Sequence, residues 1–127
     1  MTMAEHTGRA TAIACTYVEA IASKDIDTIL EVSAEDVICT SPIGKLSGTQ
    51  AFRRFHEGFA RMIKSVNILA VYGDDNQAVV VYEAETHPVP HAVTVELITI
   101  SGGKIASTDV IYDSAPFAEY MATVKPH

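Results

Sequence analysis

The feature that most restricts the fold is a change in the spacing of apolar residues near residue 66. Beyond it the period is two, in four runs: "VNILAVYG", "QAVVVYEAETH", "HAVTVELITI" and "KIASTDVIYD". The breaks between them, Gly73-Asp74-Asp75-Asn76, His87-Pro88-Val89-Pro90 and Ser101-Gly102-Gly103, are rich in turn residues, so the four runs read as an antiparallel meander. Before residue 66 the spacing is helical. Ile13, Tyr17, Ala20, Ile21 and Lys24 share one side of a first helix. Asp25 has the chemistry of an N-cap for a short second helix carrying Ile26, Ile29 and Leu30. Val37-Ile38-Cys39-Thr40 is a β-branched run, halted at Pro42 and Gly44. A third helix follows in "SGTQAFRRFHEGFARMIKS", with Ser47 and Gln50 at capping-box spacing and an apolar stripe of Phe52, Phe55, Phe59, Met62 and Ile63. Pro116, Phe117, Tyr120 and Met121 suggest a last helical turn. Helices first and a meander second predict a single α+β domain over residues 1–127.

The meander strands are apolar on both faces. Val80, Tyr82 and Ala84 alternate with Val79 and Val81, and Ile98 and Ile100 alternate with Val93, Val95 and Leu97. A sheet with one wet face is polar at every second position. In a chain this short, helices cover one side only. The other side calls for a partner, and a homodimer through the sheet face is the expectation.

Charge and cysteine usage exclude several classes of partner. A net charge of −7 argues against nucleic acid and anionic membrane surfaces. No apolar run approaches the roughly 20 residues of a membrane span. The N-terminal "MTMAEHTGRA" lacks the apolar core of a signal peptide. Cys15 and Cys39 are isolated, which suits a reducing, cytoplasmic compartment better than a disulfide framework. His87 and His91 flank a Pro-Val-Pro turn with no carboxylate in register, so no metal is expected. Neither a Gly-rich phosphate loop nor a nucleotide fingerprint is present, and no cofactor is expected.

Among the titratable residues, Glu96 stands out. It lies between Val95 and Leu97, on a face shared with Thr94, Ile98 and Ile100. Desolvation there should raise its pKa, making it a proton donor or a strong base. The alternative is a carboxylate that bonds to a Tyr or a backbone amide and titrates normally. Tyr17, on an apolar stripe, could equally be core with its hydroxyl at the edge. Thr40 and Ser41, where the first strand stops, could hold a water or ligand, but a hydroxyl alone is a poor base near neutral pH. Glu83, Glu85 and Asp109 alternate outward as solvent-face or interface-rim charges.

The segment "YVEAIASKDIDTILEVSAEDVICTSPIG", with "SGTQAFRRF" and "ISGGKIASTDVIY", resembles the nuclear transport factor 2-like superfamily. Within it the nearest resemblance is to the ketosteroid isomerases, related to the SnoaL-like polyketide cyclases, over about residues 10–113. The resemblance implies a cone-shaped α+β barrel, in which N-terminal helices pack on a curved, mostly antiparallel sheet around a pocket. It also implies three roles. Tyr17 falls on the tyrosine that donates to the substrate carbonyl. Glu96 falls on the protonated aspartate that donates beside it. Ser41 falls on the general base, an aspartate in the family. His56 is near a tyrosine position that can bond to the catalytic tyrosine, so it could orient Tyr17 or take its proton; a half-exposed helix histidine beside Arg53 and Arg54 is the plainer reading.

Alternation then gives an inward set. From the first half it takes Tyr17, Val37, Cys39, Ser41, Phe55 and Phe59. From the meander it takes Tyr82, Ala84, Thr86, Glu96 and Ile98, then Thr108, Val110 and Tyr112. A mostly apolar wall with a few converging polar groups is the usual make-up of a small-molecule pocket. No Lys or Arg is expected to face inward, which points to a neutral, hydrophobic carbonyl compound. Two functions stay open: an isomerase-, cyclase- or dehydratase-type enzyme, and a non-catalytic ligand-binding or dimeric assembly domain on the same fold.

Overall fold

The structure, a computed structural model, describes residues 8–123. Residues 1–7 and 124–127, and with them the reading of the N-terminal stretch, lie outside the described residues, as does the side chain of Met121. Helices α1 (Arg9–Ser23) and α2 (Ile26–Glu31) lead into the strand β1 (Ser33–Ser41) and its hairpin partner β2 (Gly44–Ser47). Helix α3 (Thr49–Met62) follows, then β3 (Ile63–Gly73), β4 (Gln77–Thr86), β5 (Ala92–Ser101) and β6 (Lys104–Ile111). A 3-10 turn (Ala115–Phe117) and α4 (Ala118–Thr123) end the described chain. The six strands form one sheet in the order β2-β1-β6-β5-β4-β3. Only the β1–β6 pair is parallel. The α+β class and the meander are as the spacing predicts.

Local chemistry sets the helix ends. Lys24 terminates α1 in the left-handed region at φ 61°, an unfavourable place for a side chain. Its backbone N–H meets Ile21 O at 3.2 Å and Asp25 N–H meets Ala20 O at 2.8 Å, so the last carbonyls of the helix are satisfied. The Lys24 ammonium adds a bond of 2.8 Å to Ile63 O, tying this corner to the start of β3. Asp25 caps α2 as expected, accepting from Thr28 N–H at 3.2 Å and from the Thr28 hydroxyl at 2.7 Å.

Two expectations at the start of α3 are corrected. Ser47 does not cap the helix. It is the last residue of β2, which the sequence reading missed, and Gly48 (φ 93°) occupies the N-cap with no side-chain cap bond. The chain turns at Pro42-Ile43 and pairs back, Thr40 with Lys45 and Cys39 with Leu46. Gly48 N–H then bonds to Val37 O at 2.8 Å, so the hairpin, and not a capping box, sets the entry to α3. At the other end, Ile63 belongs to β3 and is buried there, having left helical geometry (ψ 131°).

The core lies between the helices and one face of the sheet. Ala14, Tyr17, Val18 and Ile21 of α1 and Phe52 of α3 meet Val37, Cys39, Val80, Tyr82, Ile98 and Val110. The opposite face has no covering element among the described residues. Pairing places Ala70, Val81, Val95 and Ile111 in one cross-strand row, with Tyr72, Val79 and Leu97 beside it. At the ends of this face Val93 is 52% and Ile111 58% exposed.

Candidate functional site

Tyr82, Glu96 and Thr108 point into the core from three adjacent strands. Glu96 on β5 lies opposite Val80 of β4 and Val110 of β6. Two residues further along those neighbours, on the same face, are Tyr82 and Thr108. Tyr17 arrives from α1 and His56 from α3. All five are at most 2% exposed. The carboxyl of Glu96 joins them. Its Oε1 accepts from the Tyr17 hydroxyl at 2.6 Å and the Thr108 hydroxyl at 2.8 Å, and its Oε2 accepts from the Tyr82 hydroxyl at 2.6 Å. His56 Nε2 lies 3.1 Å from the Tyr17 oxygen. Tyr17 has a single proton and gives it to Glu96, so His56 must be the Nε2–H tautomer, donating to the tyrosine oxygen.

Burial governs the electrostatics here. Desolvation pushes Glu96 above the usual carboxylate range, opposed by the hydroxyls of Tyr17, Tyr82 and Thr108. Both phenols are pushed well above their ordinary value, by desolvation first and the neighbouring Glu96 next. Burial alone holds His56 down at about 3, so the imidazole is neutral. Its surroundings explain this: edge-to-face contacts with Phe52 (4.6 Å between ring centroids), Phe55 (5.1 Å) and Tyr17 (5.5 Å), and no salt-bridging carboxylate among the described residues. The Cys39 thiol is raised to about 12, chiefly by desolvation, and stays protonated.

A cavity of about 240 Å³ opens beside this cluster, between α3, the sheet and the tail. Phe55, Gly58, Phe59 and Met62 form its α3 wall; Tyr82, Ala92, Thr94 and Val110 form its sheet wall. Tyr112, Phe117 and Tyr120 close one side, and Ile43, from the β1–β2 turn, stands at another. Of the buried cluster, Tyr82 alone reaches the cavity wall. Thr94 is 3% exposed and its hydroxyl makes no bond among the described residues, which leaves a polar group free in an apolar wall.

The expected residues divide accordingly. Phe55, Phe59, Tyr82, Val110 and Tyr112 line the cavity. Tyr17, His56, Glu96 and Thr108 form the buried cluster behind it, so His56 is a core residue and not half-exposed. The inward orientation of Glu96 agrees with the strand register expected, but Tyr17 and Glu96 do not stand side by side facing a ligand: they bond to each other. Val37, Cys39 and Ile98 belong to the core, and Ala84 is buried away from the cavity wall. The Thr86 hydroxyl is spent on the turn after β4, donating to Val89 O at 2.7 Å and accepting from Val89 N–H at 2.9 Å. Ser41 is similarly spent, accepting from Ile43 N–H at 3.3 Å and donating to Gly44 O at 3.4 Å, and it does not line the cavity.

Two further expectations are corrected. The cavity does carry cations: Arg54 and Arg61, with Gly58 between them, border it at i, i+4, i+7 spacing on α3. That spacing was available in the sequence, but the helix phase was read from the phenylalanine stripe alone. His91 does meet a carboxylate, its Nδ1 lying 3.6 Å from Glu83 at the surface. No group of three or more His, Cys, Asp or Glu among the described residues could hold a metal ion. No described helix is long and apolar enough to cross a membrane.

Comparison with known proteins agrees with this geometry. The model of the SnoaL-like domain matches residues 15–108. None of the curated proteins matches the sequence. A Kribbella flavida protein of solved structure is 34% identical, with a TM-score of 0.83 over 90% of this chain and 94% of that one. A second K. flavida structure, provisionally named a ketosteroid isomerase, is 16% identical with a TM-score of 0.75 over 94% of this chain and 82% of that one. A Sinorhizobium meliloti structure, provisionally named a polyketide cyclase, is 20% identical with a TM-score of 0.71 over 79% and 94%. The helices laid in a curved sheet, the cavity at their open side and the matched span together place the chain: it belongs to the SnoaL-like domain family and has the nuclear transport factor 2-like fold.

Proposed function

We propose that the chain binds a small, largely apolar oxygen-bearing compound in the cavity beside Tyr82, without a general base in contact with it. One observation carries this reading. The described wall offers hydroxyls, guanidinium groups and apolar surface, but no carboxylate, imidazole or thiol. Hydrogen-bond donors can hold and polarise a carbonyl or phenol; proton abstraction beside a carbonyl needs a positioned acceptor. The test is calorimetric titration of a shape-matched series of substituted phenols into the wild type, Tyr82→Phe and Tyr17→Phe. Tyr82→Phe should weaken binding about fivefold, the worth of one neutral hydrogen bond of about 1 kcal/mol. Tyr17→Phe should change stability more than affinity. Absence of binding by any phenol of the series would sink the reading.

A second reading, an isomerase- or cyclase-type enzyme, is favoured by the 2.6 Å bond from the Tyr82 hydroxyl to Glu96 Oε2. If Glu96 holds a proton, it can donate to the Tyr82 oxygen, freeing the Tyr82 proton to turn towards a substrate carbonyl. Tyr82, rather than Tyr17, would then be the group that touches substrate, and Glu96 and Tyr17 would position it.

The chain pairs with a second copy through the outer sheet face. The cross-strand rows centred on Val81 and Val95 support this, since they leave apolar side chains in water on a face with no covering element among the described residues. Analytical ultracentrifugation at micromolar concentration should give the dimer mass; a monomer would refute it.

A further inference from the structure

The cations at the rim of the cavity narrow the ligand class. Arg53, one residue from Arg54 in sequence, has its anions: Asp27 at 3.6 Å and Glu57 at 3.9 Å. Arg54 and Arg61 have none within ion-pair distance among the described residues. Arg54 and Arg61 both border the cavity. The residue between them is Gly58, and the Arg61 guanidinium lies over it, its Nη2 3.8 Å from where a Cβ at position 58 would stand. Arg61 therefore folds back along α3 in the direction of Arg54. Across the cavity, on the sheet wall, the Thr94 hydroxyl has no partner among the described residues. The cavity thus has an apolar middle, one free hydroxyl on the sheet side and two free guanidinium groups on the helix side.

Resting on the ligand-binding reading above, we infer that the occupant is an organic acid: an apolar, ring-sized body whose carboxylate sits at the rim between Arg54 and Arg61. The planar fork of a guanidinium matches the two oxygens of a carboxylate, and charge-assisted bonds of this kind are roughly twice as strong as neutral ones. Phe55, Phe59 and Met62 receive the apolar body, and Thr94 hydrogen-bonds to a polar substituent where the ligand carries one. The neutral ligand expected from the sequence is replaced, because that expectation rested on the absence of an inward cation.

The experiment uses 2-naphthoate and methyl 2-naphthoate, which share one apolar body and differ in charge. Both are titrated by calorimetry into the wild type and into the double variant Arg54→Gln/Arg61→Gln, at low and high salt. Both arginines are solvent-exposed, so the variant should fold; an unchanged melting temperature checks this. The acid should bind the wild type at least tenfold more tightly than the ester at low salt, and the margin should shrink as salt is added. In the double variant the acid should fall to the affinity of the ester, and the ester should be unaffected. Equal binding of acid and ester to the wild type overturns the inference and leaves the cavity as a neutral-ligand site. A preference for the acid that survives in the double variant also overturns it. Absence of binding by both compounds overturns the inference and the ligand-binding reading together.

Discussion

Acidification should destabilise this protein through His56 in a way that a single substitution removes. The imidazole is fully buried among aromatic rings and held at about 3, against an ordinary value of 6.5. The folded-state pKa is depressed, so below pH 6.5 the unfolded chain takes up a proton that the folded chain refuses. Stability from this group is complete above about pH 6.5 and is lost progressively as the pH falls towards 3. Each unit is worth about 1.36 kcal/mol, so lowering the pH from 8 to 5 should cost about 2 kcal/mol, nearly independent of where the folded value lies below about 4. Glu96 acts in the opposite direction. Its folded pKa is raised, so its contribution is present at low pH and is lost as the pH rises through that value. The comparison that isolates His56 is therefore wild type against His56→Gln, whose amide can still donate to Tyr17 but does not titrate. Urea unfolding at pH 8 and pH 5, at one protein concentration, gives the two differences. The wild type should lose about 2 kcal/mol more than the variant over this interval. An equal loss in both would show that His56 is protonated in the folded state and that the neutral, donating imidazole is wrong.

Other consequences are direct. Glu96→Gln keeps the shape but sets an amide NH2 against one of the three donating hydroxyls; it should lower stability by about 1–3 kcal/mol in urea unfolding. Isomerisation of a 5-ene-3-ketosteroid, followed by absorbance of the conjugated product, should be negligible, since Ser41 is tied into the turn and no carboxylate among the described residues lines the cavity. Val95→Lys, at the centre of the outer apolar rows, should yield a folded monomer by ultracentrifugation and unchanged circular dichroism.

Much of this arrangement was legible because it is local. Asp25 caps its own helix, and alternation alone sends Tyr82, Glu96 and Thr108 to one face of the meander. What was not legible depends on distances between elements. The strand β2 is four mostly polar residues whose only signal is pairing with β1, so the capping-box pattern at Ser47 was misleading. Alternation told that Glu96 would face inward, and the family resemblance implied that Tyr17 would stand near it, but neither told that 2.6 Å would separate their oxygens and consume the tyrosine proton. The cavity is set by how far α3 stands from the sheet and by Phe117 and Tyr120 folding over it, and neither is written in periodicity. For the same reason Arg54 and Arg61 looked like solvent-face residues, and Ala84 and Thr86 like cavity wall.

The account holds that a ligand touches Tyr82 and Thr94 and leaves the buried Tyr17–Glu96–His56 cluster closed. A crystal structure of the protein with a bound aromatic acid carrying a phenolic hydroxyl, 6-hydroxy-2-naphthoate, tests this most directly. The account predicts the ligand hydroxyl within hydrogen-bond distance of the Thr94 or Tyr82 oxygen, with the Tyr17–Glu96 bond intact. A ligand oxygen bonded to both Tyr17 and Glu96, with their mutual bond broken, would contradict it and restore the paired-donor arrangement that the family resemblance implies.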